Sequence, residues 1–151
     1  MTERWMIGAL AGAFLLAVLL IRGLKRIRRM HPLPMDEMEG REFEEYCADL
    51  LEGAGFAGVM VTPASRDFGA DILCEKDGVT YAVQCKCYDA PVGVSAVQEA
   101  YAGKDFYGRM VAVVMTNQYF TDPAAEMAHR LRVLLWDRDV VESLAGTQNA
   151  G

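Results

Sequence analysis

Histidine is scarce in this chain of 151 residues, and its four cysteines lack the spacing of a zinc site. The two histidines stand at positions 31 and 129, and Cys85 and Cys87 have no second cysteine pair beside them. A structural zinc site needs four ligands, usually supplied by paired motifs, so this pattern argues against one. Because 52% of the residues are hydrophobic and 24% are charged, the composition also excludes a disordered or collagen-like chain.

Positive charge is scarce beyond residue 29. The first 29 residues carry six basic side chains against one acidic side chain, whereas residues 30–151 carry nine against twenty, a net charge of −11. DNA affinity usually depends on lysine and arginine contacts to phosphates, and no recognition helix or zinc finger is evident. Tight sequence-specific DNA binding by this chain alone is therefore not expected; a homo-oligomer, a partner protein or weak, nonspecific action on DNA would fit this charge better.

The N-terminal segment combines an uncharged apolar run with a basic flank. Trp5 to Ile21 contains no charged residue, and five basic residues follow between positions 22 and 29. A helix over residues 5–24 would span about 30 Å, which is enough to cross a bilayer core. Since positive charge stays on the cytoplasmic side, we predict a single-pass anchor in the inner or plasma membrane over residues 1–29, with a cytoplasmic domain behind it. A cleaved signal peptide and a buried core helix are the alternatives.

The remaining sequence predicts one α/β domain over residues 36–146, between a linker at residues 30–35 and a tail at residues 147–151. Periodicity and turn residues predict helices over residues 36–54, 95–107 and 138–145, a further helix that starts at residues 121–123, and strands over residues 59–62, 70–75, 79–87, 110–115 and 133–136. Ser95 and Gln98 have the spacing of a capping box. This order predicts an α/β sandwich on a mixed sheet flanked by helices, with an antiparallel hairpin on one side and βαβ crossovers on the other.

The hairpin predicts a cluster of polar side chains. If Asp77 and Gly78 form a two-residue turn, then Asp71 lies opposite Gln84, and Lys86 points to the same face of the sheet. A carboxylate, an amide oxygen and a lysine suit a Mg²⁺ site, because Mg²⁺ prefers oxygen ligands and a lysine can stabilise charge that develops on a phosphoryl group. Glu44, at the rim of the apolar face of the first helix, is the candidate second carboxylate, with a solvated helix charge as the alternative.

An ordered set of segments resembles a known family. The main segments are Gly40–Glu44, Gly55-Phe56, Thr62–Asp71 and Gln84–Lys86, and the downstream segments are Val92–Tyr101, Thr116-Asn117 and Phe120-Thr121. Together they resemble the Mrr-type restriction endonuclease domain of the PD-(D/E)XK nuclease superfamily, in the branch that has Gln in place of Glu. The resemblance covers about residues 36–145. It implies a restriction-endonuclease-like fold and a Mg²⁺-dependent endonuclease that hydrolyses DNA phosphodiester bonds, with Mn²⁺ able to substitute.

The resemblance also implies a role for each site residue. Asp71 is the principal metal ligand, Glu44 supplies the second carboxylate, and Gln84 contributes its side-chain oxygen to the metal. Lys86 orients or activates the attacking water.

Two further residues are auxiliary candidates. Gln98 is expected to line the cleft, and Asp67 is an auxiliary acid or, equally, an ordinary turn aspartate. The function we expect is membrane-anchored DNA cleavage in restriction or defence against foreign DNA. The alternative is a catalytically weak or inactive nuclease-fold module that binds nucleic acid or assembles at the membrane.

Overall fold

The computed structural model describes residues 13, 14, 16–20, 34–64 and 68–149, and its contacts divide the chain into two units, residues 1–33 and 34–151. In the first unit the described residues are helical, and Phe14, Leu16, Leu19 and Leu20 are exposed. No helix within the described residues is long and apolar enough to cross a membrane. Most of the predicted anchor over residues 5–24 lies outside the described residues, so the anchor stays a prediction.

The second unit is a five-stranded mixed sheet with helices on both faces. After a 3-10 turn, its elements in chain order are α1 (Gly40–Gly53), β1 (Ala57–Val61), β2 (Ile72–Lys76), β3 (Val79–Lys86), α2 (Val94–Phe106), β4 (Val111–Thr116), α3 (Asp122–Leu131), β5 (Leu134–Trp136) and α4 (Arg138–Asn149). The strands lie in sequential order, antiparallel from β1 to β3 and parallel from β3 to β5. The predicted mixed sheet and order of elements are confirmed.

The first helix is shorter than its periodicity predicts. Residues 36–54 do not form one helix, because a 3-10 turn at Met35–Glu37 is followed by extended backbone and α1 begins at Gly40. Glu39 caps α1: its side chain accepts from the backbone of Glu42, and its own amide donates to the Glu42 carboxylate at 3.0 Å. This reciprocal capping box satisfies helix donors that would otherwise lack partners, and it fixes where α1 starts.

The β2–β3 hairpin has the predicted register. Lys76 lies opposite Val79 and Ile72 lies opposite Val83. The two turn residues, Asp77 and Gly78, have φ angles of 52° and 77°, in the left-handed region that a tight hairpin turn of this kind requires. β2 begins two residues later than predicted, so Asp71 immediately precedes the strand. Its amide still donates to the Val83 carbonyl at 2.8 Å.

Alternate residues of β3 face two different environments. Tyr81, Val83 and Cys85, together with Cys87 just after the strand, pack in or against a core that includes buried residues of α1 and Val141 of α4. Ala82 and Gln84, which alternate with them, are also buried but fall outside that core. The four cysteines are free thiols.

The loop before Asp71 contacts α2 through two glycines. A Cβ on Gly69, whose φ is +89°, would collide with the backbone of Glu99, and a Cβ on Gly103 would collide with the backbone of Gly69. Only residues without side chains permit this approach. The contact fixes the position of the Asp71 loop on α2.

Candidate active site

Asp71 is a buried carboxylate held at the junction of the loop and the hairpin. Its residue is 5% exposed. Its Oδ2 accepts a hydrogen bond from the Cys85 amide at 2.7 Å and another from Gln84 Nε2 at 2.6 Å. Both donors come from the end of β3, so the hairpin register positions the carboxylate. The predicted pairing of Asp71 with Gln84 is therefore present as a direct side-chain contact.

The side-chain amide of Gln84 has a hydrogen-bond partner for its nitrogen but none for its oxygen. While Nε2 donates to Asp71, Oε1 is buried without a hydrogen-bond partner, one of two such buried side-chain atoms among the described residues. A buried acceptor without a partner costs about 1–3 kcal/mol, and such groups often mark a place that an ion or water completes. The Oε1 atom is thus an oxygen available to a cation beside a buried carboxylate.

Lys86 forms an ion pair with a residue that the sequence analysis did not single out. Its Nζ lies 2.5 Å from Oε2 of Glu99 on α2, and the exposed fractions of the two side chains are 16% and 44%. Burial acts to lower the pKa of Lys86, but the hydrogen bond and charge of Glu99, aided by the charge of Asp71, outweigh it and raise that pKa. Lys86 is therefore an ammonium ion at neutral pH, which favours orienting a water over removing its proton.

Glu44 connects to Asp71 through Arg41 and Thr62. The Glu44 side chain is 20% exposed and accepts from Arg41 Nη1 at 3.0 Å; the same nitrogen donates to the Thr62 carbonyl at 3.0 Å. The Thr62 amide in turn donates to the Asp71 carbonyl at 2.8 Å, and its Oγ1 donates to Ala70. α1 is thereby tied to the backbone that carries Asp71. The partial burial of Glu44 agrees with a position at the rim of the apolar face, and its role as a metal ligand stays a prediction.

The Cys85 thiol lies within electrostatic reach of both carboxylates. A hydrogen bond with Cys47, burial, and the charges of Cys47, Asp71 and Glu44 all raise its pKa well above the ordinary value. Asp71 and Glu44 therefore act on the same part of β3, from the loop and from α1. The raised pKa also keeps the thiol protonated, which makes it a packing residue rather than a nucleophile.

The auxiliary candidates fare differently. Gln98 is exposed on α2, and its expected capping box with Ser95 is wrong: α2 begins at Val94 after Gly93, with no side-chain cap. Extended backbone at Gly93 starts the helix earlier and leaves Gln98 without that bond. Asp67 lies outside the described residues, so its role as an auxiliary acid stays a prediction.

Sequence reasoning missed three residues that contact the site: Glu99, Arg41 and Thr62. Arg41 and Thr62 lie within the segments that carry the family resemblance, but that resemblance gave them no role. Glu99 adjoins Gln98 in sequence, and only the helix phase set by the glycine contact decides which of the two reaches Lys86.

The matching family model settles where the chain belongs. The Mrr catalytic domain model, described as restriction endonuclease, matches residues 35–145. The chain belongs to this restriction endonuclease family. The match spans all strands, α1 to α3 and most of α4, and it contains Asp71, Gln84 and Lys86. The predicted membership is confirmed, and with it the assignment to a nuclease domain.

Individual proteins and solved structures are similar to parts of this chain. An uncharacterized protein, y4cE, of Sinorhizobium fredii (strain NBRC 101917 / NGR234) is 36% identical over 83 residues, 51% of this chain, and the chain spans about a fifth of that relative (21%). A crystal structure of the protein of unknown function AF1548 has a TM-score of 0.55 at 22% identity, covering 69% of this chain and 66% of that one. The DNA modification-dependent restriction endonuclease AspBHI gives 0.46 at 18% identity, covering 82% of this chain and 40% of that one.

Two residues of the candidate site, Asp71 and Gln84, have the chemistry to bind a divalent cation. Restriction endonuclease domains of this kind usually use divalent metals. A buried Asp71 carboxylate beside the unpartnered Oε1 of Gln84 matches the all-oxygen preference of Mg²⁺, which commonly keeps several waters and needs few protein ligands. Among the described residues, no group of three or more His, Cys, Asp or Glu side chains is assembled for a metal.

Proposed function

We propose that this chain is a membrane-anchored, Mg²⁺-dependent DNA endonuclease that acts in restriction or defence against foreign DNA. One observation carries the catalytic part: a buried aspartate and an unpartnered glutamine oxygen lie side by side, with a lysine ammonium two residues further along the strand. The family membership supports phosphodiester hydrolysis as the chemistry.

Each residue has a defined part in the proposed reaction. Asp71 and the Oε1 of Gln84 would hold the cation, with Glu44 as the added carboxylate, and a bound cation would supply Lewis-acid polarisation of the phosphate. Lys86 donates hydrogen bonds and offers positive charge to the attacking water and to the charge that develops on phosphorus. The Cys85 amide and Arg41 keep the two carboxylates in place.

DNA binding requires help against the acidic charge of the domain. A net charge of −11 over residues 30–151 repels a polyanion. We propose that a second copy or a partner protein contributes cationic contacts, and that the chain alone binds DNA weakly and without tight sequence selection. The same acidic charge favours the second candidate, a binding or assembly module with little cleavage.

The test of the nuclease uses the full chain in a mild detergent. Supercoiled plasmid is incubated with Mg²⁺, Mn²⁺ or EDTA, with the parent chain and with Asp71→Ala. We expect nicking in Mg²⁺ and Mn²⁺, none in EDTA, and none with the variant. Cleavage that persists in EDTA, or that Asp71→Ala leaves intact, would contradict the site. A folded parent that binds plasmid without nicking it, even when the plasmid carries modified bases, would favour the binding module.

The anchor rests on the sequence of the first unit. The uncharged run from Trp5 to Ile21 and the basic flank support it, and the exposed Phe14, Leu16 and Leu19 are suited to contact with lipid. Membranes from cells that express the full chain are washed with alkaline carbonate. We expect the parent to stay in the membrane pellet and Leu16→Arg/Leu19→Arg to be released, because charges at the centre of a span are costly. A parent that is released by the wash would refute the anchor.

A further inference from the structure

We propose that Glu99 is a positioning residue for Lys86: from α2 it holds the lysine ammonium in the orientation that the proposed nuclease reaction needs. The inference rests on the proposed function, and it gives Glu99 a role that the family resemblance did not supply. The observation that supports this role is the ion pair between Lys86 Nζ and Glu99 Oε2, at a distance of 2.5 Å.

Lys86 needs an outside partner to be held in place. A lysine side chain has four rotatable bonds and loses much rotamer freedom when it is fixed. Here the side chain is only 16% exposed, so it has little solvent to compensate a lost partner. A carboxylate against the ammonium therefore selects one orientation among several, and Glu99 is the residue that supplies it.

The backbone of Glu99 is fixed by packing against the loop before Asp71. Its own backbone forms part of the contact with Gly69, and one helical turn further along α2 Gly103 packs on the same loop. Two residues after Gly69, the loop reaches Asp71, which also accepts from the Cys85 amide next to Lys86. The loop before Asp71, helix α2 and strand β3 therefore contact one another in turn. The same packing determines the positions of Asp71, the proposed metal ligand, and of Lys86.

The charge of Glu99 makes its role separable from substrate binding. Its side chain is 44% exposed, and a carboxylate near the phosphates would weaken DNA binding. If Glu99 acted only through this field, Glu99→Gln would lower KM and leave kcat unchanged. A positioning role predicts instead that the same substitution lowers kcat.

The kinetic experiment uses the full chain in mild detergent with supercoiled plasmid and Mg²⁺. Glu99→Gln is expected to lower kcat about 10- to 100-fold, the usual effect of removing a partner that orients a functional side chain, with KM unchanged or lower. Glu99→Asp, which restores the carboxylate, should recover at least part of that loss. The matched control is Glu126→Gln, the same substitution at an exposed helix glutamate paired with Arg130, and it should leave kcat unchanged.

A double variant tests whether Glu99 acts through Lys86. Once Lys86→Met has removed the ammonium, Glu99→Gln should lower the residual rate by less than twofold. An equal loss in both backgrounds would overturn the inference, as would a Glu99→Gln variant with the parental kcat or a Glu99→Asp variant no better than Glu99→Gln.

A spectroscopic measurement keeps the inference testable without cleavage. In chain labelled with ¹⁵N-lysine, an ion-paired and shielded ammonium exchanges its protons slowly enough to give a proton–nitrogen cross-peak, which is assigned by its absence in Lys86→Met. We expect the peak in the parent and in Glu126→Gln, and its loss in Glu99→Gln. A peak that survives Glu99→Gln would overturn the positioning role, whereas plasmid that stays intact with the peak behaving as expected would refute the nuclease activity alone.

Discussion

The two faces of β3 differ in the chemistry of the side chains that they bury. On one face, Tyr81, Val83 and Cys85 pack against α1 and α4, and the Cys85 thiol is free and has a raised pKa that keeps it protonated. On the other, Gln84 and Lys86 are nearly as well shielded, yet they carry an orphaned oxygen and a charge paired across to α2. Adjacent residues of one strand therefore belong to a packed apolar core and to a polar cluster.

This contrast separates stability from function along a single strand. Apolar side chains that fill a core stabilise the fold in proportion to the area that they bury. A buried amide oxygen without a partner does the reverse, and proteins retain such groups where a ligand completes them. Substitutions on the apolar face should therefore change the free energy of unfolding, whereas substitutions on the polar face should change cleavage and metal response.

The largest expected effect is on cleavage by Lys86→Met. The substitution keeps an unbranched side chain of similar length and removes the ammonium, so the rate of plasmid nicking should fall about 10²- to 10³-fold, the usual loss for one donor to a developing charge. Initial nicking rates in Mg²⁺ give the measurement.

The matched control for this change is Lys76→Met in the same hairpin. Lys76 Nζ donates to the Ala54 carbonyl at 2.8 Å and lies 5.0 Å from the centre of the Phe56 ring, on the apolar side of the sheet. This variant should lose about 1 kcal/mol of stability and cleave at the parental rate. Equal nicking by the two variants would break the distinction between the faces.

The next effect is on folding, at the glycine contact that supports the polar face. Gly103→Ala should lower the free energy of unfolding by about 3 kcal/mol, because its Cβ would collide with the backbone of Gly69 and the well-packed loop cannot relax freely. In an unobstructed helix the same change is favourable by up to about 1 kcal/mol.

Gly146→Ala provides the comparison, since this glycine also lies in a helix and a Cβ there would meet nothing within 4 Å. Urea denaturation of the two variants should give shifts of opposite sign. If Gly103→Ala is as stable as the parent, the loop does not rest on α2 as described.

A smaller effect is expected from Gln84→Glu, measured in EDTA and in Mg²⁺. The new carboxylate replaces the Nε2 donor that lies 2.6 Å from Asp71 Oδ2, so two negative groups meet in a buried site. In EDTA at neutral pH the free energy of unfolding should fall by roughly 1–3 kcal/mol. Mg²⁺ should restore more stability to the variant than to the parent, because a ligand that binds the folded state stabilises it.

Gln98→Glu controls for the added charge, since this glutamine is exposed on α2, and its stability should change by less than about 0.5 kcal/mol in either buffer. A Gln84→Glu variant that is as stable as the parent in EDTA, and that responds no more to Mg²⁺, would show that the pair is not a cation site.

Local rules sufficed for the hairpin but not for the contacts made across the domain. The Asp77-Gly78 turn sets the register of its own strands, so the neighbouring positions of Asp71 and Gln84 could be deduced from sequence. The partner of Lys86 could not, because it depends on how α2 is rotated against the sheet. That rotation is fixed by Gly69 and Gly103, which lie 34 residues apart and carry no local signal of their contact.

The smallest expected effect is a pH dependence of stability that arises from Cys74, on the apolar face of the sheet. Burial, opposed in part by Arg109, raises the pKa of Cys74 from about 9 to about 11. Below pH 9 the thiol is protonated in both states and its contribution to stability is complete. As the pH rises from 9 to 11 the unfolded chain ionises first, so the free energy of unfolding falls. Cys74→Ala removes this pH dependence. The difference in free energy of unfolding between the parent and this less stable variant, measured by urea denaturation, should therefore narrow by roughly 1–2 kcal/mol between pH 8 and pH 10.5.

Val83→Ala is the matched control for that measurement, because it also shortens a buried side chain of the same core but removes no titrating group. Its deficit relative to the parent should stay constant over the same pH range, since groups that titrate elsewhere act on variant and parent alike. If the Cys74→Ala deficit were equally constant, the thiol would be as free to ionise in the folded protein as in the unfolded chain. The apolar face would then admit water at β2, and the contrast with the polar face would rest on Gln84 and Lys86 alone.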